Sequence, residues 1–260
     1  MHIVWLIDTI LQERQYECGF PSLAEAAREA GHLAYEVTYK PFSDPITLTD
    51  NNPTIVHGCI EFVKKRLGGC PGAYFNDNVK SFAKFAPHIG EDLLSSDYII
   101  LPYGEFIRRK MTNRFIKPLS GLKEFTGQVA NWDDKLSHLH IEPETLCVIA
   151  SPKKIQAEFR YIIAERRVVT GSEYRWDDVL DVRRDTLPEC DALAAKIAAA
   201  PWQADIVYVC DIAMTEEGPK VIELNAFSSS GLYACDTHKI VEAVGRAAMR
   251  EFNGEIGVGE

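Results

Sequence analysis

Ile206-Val207-Tyr208-Val209-Cys210-Asp211-Ile212-Ala213 and Pro219-Lys220-Val221-Ile222-Glu223-Leu224-Asn225 decide the reading of this chain. Both stretches are rich in β-branched and aromatic residues, and the turn-like Glu216-Glu217-Gly218 lies between them. Paired antiparallel around Glu217, they set Asp211 opposite Glu223, to within one residue. Side chains alternate faces along a strand, so Glu223 and Asn225 share a face. Asp211, Glu223 and Asn225 thus form a candidate set of hard oxygen ligands on rigid strands. Such a set suits Mg²⁺, which keeps several waters and bridges substrate phosphates. The expectation is an enzyme that handles a nucleoside triphosphate.

Working outward, 260 residues suffice for one large or two modest domains. The net charge of −10 argues against general nucleic-acid or anionic-membrane binding, although Arg108-Arg109-Lys110 with Arg114 could form a local basic groove. No apolar run approaches the roughly 20 residues that a membrane helix needs. The opening Met1-His2-Ile3-Val4-Trp5-Leu6-Ile7-Asp8 lacks a basic lead and reads as a first strand. Seven cysteines, none in a C-x-x-C pair, read as reduced thiols of a cytoplasmic protein. His138 and His140 stand two apart on an expected helix and point different ways, so no zinc site is read.

Residues 1–112 have the alternation of a mainly parallel α/β unit. Strands are expected at 2–7, 33–39, 54–57, 73–75 and 97–103. Helices are expected at 22–30, 59–67 and 78–86, the first opened by the capping box Ser22-x-x-Glu25 and closed by Gly31. A polar loop covers 41–53. From 113 to 252 the pattern becomes antiparallel α+β. Its strands are expected at 113–117, 127–131, 145–150, 156–165, 167–175, 206–213 and 219–225, and its helices at 132–139, 189–199 and 238–251.

Two further elements can carry phosphate chemistry. Phe115-Ile116-Lys117-Pro118-Leu119-Ser120-Gly121-Leu122-Lys123-Glu124-Phe125-Thr126-Gly127 reads as strand, glycine-containing loop and strand. It can lay backbone N–H groups and the ammonium groups of Lys117 and Lys123 along a triphosphate. An ordinary surface hairpin is the plainer alternative. In Glu158-Phe159-Arg160-Tyr161-Ile162-Ile163-Ala164, alternation puts Glu158, Arg160 and Ile162 on one face. Arg160 then sits mid-strand in a sheet and Arg175 ends the partner strand. Guanidinium forks suit developing phosphoryl charge and carboxylates alike, and structural Glu158–Arg160 or Glu173–Arg175 pairs are the plainer alternative.

In that order, lysine-bearing hairpin, arginine-bearing strand pair and Asp…Glu-x-Asn hairpin, the chain resembles the ATP-grasp superfamily. Glu158-Phe159-Arg160-Tyr161-Ile162-Ile163 with Arg175 resembles its glutathione-synthetase and glutamate-ligase branch. Lys117-Pro118…Lys123-x-Phe125-Thr126-Gly127 and Asn225-Ala226-Phe227-Ser228-Ser229-Ser230-Gly231-Leu232-Tyr233 resemble a clade of small phage and bacterial proteins named for two arginines and a lysine. The resemblance covers about 97–245 well and the preceding unit more loosely.

The resemblance implies α/β plus α+β architecture: an N-terminal pre-ATP-grasp domain (1–112), then an ATP-grasp domain (113–252). The nucleotide would lie between a lid subdomain (about 113–147) and a C-terminal subdomain (about 148–252). It implies ATP as cofactor, with one or two Mg²⁺ ions held by Asp211, Glu223 and Asn225. Lys117 and Lys123 would contact phosphates, and backbone groups of Val148, Ile149 and Ala150 would read the adenine edge. Glu158 would meet the ribose or orient Arg160, while Arg160, Arg175 and Lys123 would serve catalysis. The clade commonly has arginine where Lys117 stands. The lysine usual just before the hinge has no clear counterpart, since Lys153 and Lys154 follow it. The implied activity is a carboxylate–amine ligase that makes an amide through an acyl phosphate, from small-molecule or peptide acids and amines. A phosphotransferase or a non-catalytic ATP-binding regulator are the alternatives; the assembly is left open by the sequence, with a homodimer the base-rate guess.

Overall fold

The computed structural model describes residues 2–12, 19–40, 52–65, 71–120, 125–134 and 141–257. The first sheet is built from β1 (Val4–Asp8), β2 (Leu33–Val37) and β3 (Thr54–His57). Its order is β2-β1-β3, all parallel, as the alternation with helices requires. Between β1 and β2 run α1 (Thr9–Gln12) and α2 (Leu23–Glu29). The expected capping box forms: Ser22 Oγ accepts from Glu25 N–H, and the Glu25 carboxylate accepts from Ser22 N–H. Gly31 closes that helix at φ +79°, where a side chain would be strained.

After β3 come α3 (Ile60–Lys64), α4 (Asp77–Lys80) and α5 (Phe82–Ile89). Two expectations change here. Residues 73–75 form no strand: Tyr74 and Phe75 are buried, yet their backbone makes no ladder. The helix expected over 78–86 is two helices. The Asn76 side chain accepts from Asn78 and Val79 N–H and starts the first, and an extended Ser81 starts the second.

β4 (Ile99–Pro102) is followed by α6 (Tyr103–Arg108), β5 (Arg114–Pro118), β6 (Gln128–Ala130) and β7 (Leu146–Ala150). These strands make an antiparallel sheet of order β4-β7-β5-β6. The strand expected at 97–103 in the parallel sheet therefore belongs here, paired with β7. Helix α6 was not expected; it begins where Pro102 supplies an extended N-cap. The helix expected over 132–139 and the loop over 41–53 fall largely outside the described residues.

The third sheet holds β8 (Ala157–Ala164), β9 (Arg167–Trp176), β10 (Val179–Arg183), β11 (Val207–Thr215) and β12 (Gly218–Ala226) in the order β10-β9-β8-β11-β12, all antiparallel. Strand β10 was missed. It follows a two-residue turn in which Asp177 and Asp178 both have positive φ, the geometry of a tight hairpin. Helices α7 (Pro188–Ala199) and α8 (Thr237–Phe252) cover opposite faces. Phe159, Tyr161 and Ile163 pack with Leu193 and Ile197 of α7, whereas Ile162, Val207 and Val209 pack with Val241 and Val244 of α8. The period-2 pattern of β8 thus assigns its two faces as read from sequence.

Candidate active site

The third sheet carries its polar side chains in one row. In register, Ser172 of β9 lies beside Arg160 of β8, Arg160 beside Asp211 of β11, and Asp211 beside Glu223 of β12. Asn225 stands two residues along from Glu223, on the same face. Just past this row, between Asp211 and Ile212, the β11–β12 register shifts by one residue; a second shift, between Glu158 and Phe159, lies in the β8–β9 pair. Such bulges bend a strand and re-aim side chains, and they concentrate beside functional sites.

Arg160 and Asp211 form a buried fork: Nε donates to Oδ1 at 2.8 Å and a terminal nitrogen donates to Oδ2 at 2.7 Å. The other terminal nitrogen of Arg160 donates to the carbonyl of Gly231 at 2.8 Å. Its guanidinium lies 4.8 Å from the centre of the Tyr233 ring, and Tyr233 stacks on Tyr174. Burial disfavours charge on Arg160, but the Asp211 carboxylate outweighs it and raises the arginine above its ordinary value. Burial pushes the Asp211 carboxyl up, while Arg160 pulls it back down. Asn225 Nδ2 donates to both neighbours, to Asp211 Oδ2 at 2.9 Å and to Glu223 Oε1 at 3.0 Å. The three residues singled out from sequence are therefore in one hydrogen-bonded cluster.

Opposite this row, β5 delivers Lys117, whose ammonium lies 3.8 Å from Glu223 and 4.9 Å from the centre of the Phe82 ring. Burial lowers the Lys117 pKa and Glu223 opposes the shift. Between them opens a cavity of about 640 Å³. Lys117, Arg160, Glu223 and Asn225 reach its wall, together with aromatic side chains that include Phe82 and Phe125 and the backbone-rich Ser229–Tyr233 segment. Gly127 has to be small here: a Cβ on it would come within 3.0 Å of Phe115 and 3.2 Å of Lys117.

Not every expected residue arrives. Asp211 is 2% exposed and stands behind the wall, with both oxygens bonded to Arg160. Val148, Ile149 and Ala150 are buried in β7; Val148 and Ile149 pair with both β4 and β5, whereas Ala150 pairs with Phe115 of β5 alone. Glu158 and Arg175 pair with each other at 3.3 Å and are not in the wall; Glu158 also accepts from the Tyr174 hydroxyl. Burial raises the Glu158 pKa. Lys123 lies outside the described residues. Reading the sequence missed Tyr174, Tyr233, Phe82 and His57. Tyr174 is the extra residue of a bulge, and the others come from separate elements that no local pattern joins.

Mg²⁺ fits two of its three expected ligands directly. Glu223 and Asn225 reach the cavity, and Mg²⁺ commonly uses only one or two protein carboxylates beside substrate phosphates and water. Among the described residues no group of three or more His, Cys, Asp or Glu forms a metal cage.

A lysine-bearing antiparallel sheet facing an acid-bearing antiparallel sheet, with a cleft between them and a parallel unit in front, defines an ATP-grasp fold. Residues 76–244 match the ATP-grasp domain family numbered third in the clade named for two arginines and a lysine, and the chain belongs to it. Among curated proteins, none matches the sequence. Solved structures with the same fold include the D-cycloserine synthetase DcsG, at 14% identity and TM-score 0.60, covering 94% of this chain and 99% of that one. The ATP-grasp ligase PsnB with a minimal precursor is similar at 14% identity and TM-score 0.60, over 95% and 99% of the two chains. A D-alanine–D-alanine ligase from Bacillus anthracis complexed with ATP is similar at 13% identity and TM-score 0.57, over 98% and 99%.

Proposed function

We propose that this protein is an ATP-dependent carboxylate–amine ligase that forms an amide through an acyl phosphate and releases ADP and phosphate. The observation that carries the reading is the Arg160–Asp211–Glu223 row facing Lys117 across the cleft. Membership of the ATP-grasp family supports it, as do structural neighbours that are themselves named ligases or synthetases, one of them complexed with ATP. PsnB is complexed with a minimal precursor, so a peptide substrate belongs within the proposal beside small acids and amines.

The chemistry asks two anions, a carboxylate and the γ-phosphate, to meet, so charge must be neutralised where they do. Lys117 does this from the four-stranded sheet, which we take as the lid, with Lys123 proposed beside it. Arg160 does it from the facing sheet, held in one rotamer by Asp211, Gly231 and Tyr233. Mg²⁺, when bound, would neutralise phosphate oxygens, with Glu223 and Asn225 in contact. Asp211, proposed from sequence as a third ligand, reaches the ion only by giving up Asn225 or sharing an oxygen with Arg160. The Arg175–Glu158 pair fits a supporting place, holding Tyr174 against Tyr233. The adenine edge then falls to the segment after β7, Ser151 to Ile155, which lies outside any strand. Acyl phosphates hydrolyse readily, and closure of the lid excludes water.

No helix among the described residues is long and apolar enough to cross a membrane. Among the described residues five cysteines stand outside any disulfide, which accords with the proposed cytoplasmic location. The test is ADP release with Mg²⁺ and pooled acids and amines, followed by mass spectrometry of the product. An amide with free phosphate is expected. A stable phosphoester would make the protein a phosphotransferase, and Mg-ATP binding without turnover across the pools would make it a nucleotide sensor.

A further inference from the structure

The cavity has a second polar corner that the phosphate chemistry does not use. His57 ends β3 at the carboxyl edge of the parallel sheet, forms part of the cavity wall and is 2% exposed. Its Nε2 lies 3.0 Å from the carbonyl oxygen of Ser230. A carbonyl only accepts, so Nε2 carries the hydrogen and Nδ1 is left as a lone-pair acceptor. Nδ1 is buried and has no hydrogen-bond partner, and neither has the buried hydroxyl of Ser228 in the loop that closes over it. An unmet buried acceptor is costly to the fold, and a ligand donor at this corner would recover that cost.

Charge specifies the donor. Asp8, at the end of the neighbouring strand β1, is fully buried one step behind His57. Its oxygens accept from the backbone N–H groups of Ile10, Tyr39 and Cys59, and no cation pairs with it among the described residues. Burial drives the His57 pKa down to about 4, against the pull of Asp8, so the imidazole is neutral and gives Asp8 no cationic partner. The cavity wall thus carries Lys117 and Arg160, with Glu223 beside them, on one side and at this corner a neutral imidazole backed by the buried Asp8.

We propose that the His57–Asp8 corner is a subsite for a primary ammonium group, which donates a hydrogen bond to Nδ1 of His57. The inference rests on the ligase reading and names the class of one substrate: an amine, or an amino acid whose ammonium sits here while its carboxylate faces Arg160. His57 is a substrate-binding residue on this account, and Asp8 a positioning one.

The test is a titration of full-length protein, labelled with ¹⁵N in its histidine rings, by ethylammonium, tetramethylammonium and β-alanine. His57→Phe assigns the resonance by its loss. Ethylammonium is expected to shift the Nδ1 resonance saturably and to bind at least about tenfold more tightly than tetramethylammonium, which has charge but no N–H donor. Tighter binding of β-alanine than of ethylammonium places the ammonium on the acid substrate; equal binding places it on a separate amine. Either order supports the subsite. The absence of a saturable shift, or an equal shift with tetramethylammonium, overturns it. The titration needs no turnover. A protein that binds ethylammonium at His57 yet makes no product refutes the ligase reading alone, and one that makes an amide without this shift refutes the subsite alone.

Discussion

Arg160 shows how one residue can serve stability and chemistry together. Its fork to Asp211 is buried, and removing one partner of such a pair commonly costs about 3–5 kcal/mol because the other is left charged and dry. Arg160→Ala is therefore expected to lower the melting temperature sharply as well as abolish turnover, so that variant alone cannot separate folding from catalysis. The double variant Arg160→Met/Asp211→Leu does separate them: thermal denaturation should show most of the lost stability restored, with ADP release still absent. Recovery of turnover in the double variant would remove Arg160 from the chemistry. Glu223 is the contrasting case: its side chain is 36% exposed, and its partners are the Lys117 ammonium at 3.8 Å and the Asn225 amide at 3.0 Å. Glu223→Gln keeps an acceptor for Asn225 but takes the counter-charge from Lys117, so the melting temperature should fall less than in Arg160→Ala while ADP release falls by roughly 10²–10³.

At the scale of elements, the end of α8 meets the loop leading into α4 through the half-buried Glu251, near the buried Asp205. Glu251 accepts from Gly72 N–H at 3.0 Å, and Asp205, 4% exposed, accepts from Ile206 N–H. Burial first, with Glu251 adding to it, pushes Asp205 up to about 7. Burial also raises Glu251. A carboxyl raised in the folded state binds its proton more tightly there than in the unfolded chain. Its contribution to stability is complete below about pH 4 and is lost as pH rises through about 7. The melting temperature should therefore decline between pH 5 and pH 8. Asp205→Asn, which keeps an acceptor for Ile206, should flatten that slope; an unchanged slope would locate the titration elsewhere.

Much of this level was legible in the sequence. The hairpin of β11 and β12 sets Asp211 opposite Glu223 as read, because alternation and a short turn are local facts. What escaped was non-local or irregular. β10 hides behind the Asp177-Asp178 turn. β4 joins the four-stranded antiparallel sheet through a partner some fifty residues away, Ile99 with Ile149. The bulges that aim Tyr174 and shape β12 leave no period to detect. The same holds for His57 and Phe82, which a pattern within one strand or helix cannot connect to Glu223.

At the scale of the whole molecule, three sheets meet around one cavity, with Lys117, Arg160 and Glu223 on one side and His57, backed by Asp8, at another corner. The account stands on the proposition that this cleft takes Mg-ATP against Glu223 and Asn225. Isothermal calorimetry of ATP binding, with and without Mg²⁺, in wild-type protein and Glu223→Gln tests it most directly. Wild type should bind ATP with a clear Mg²⁺ dependence, and Glu223→Gln should lose at least about tenfold in affinity together with most of that dependence. Equal, Mg²⁺-independent binding in both proteins would contradict the account.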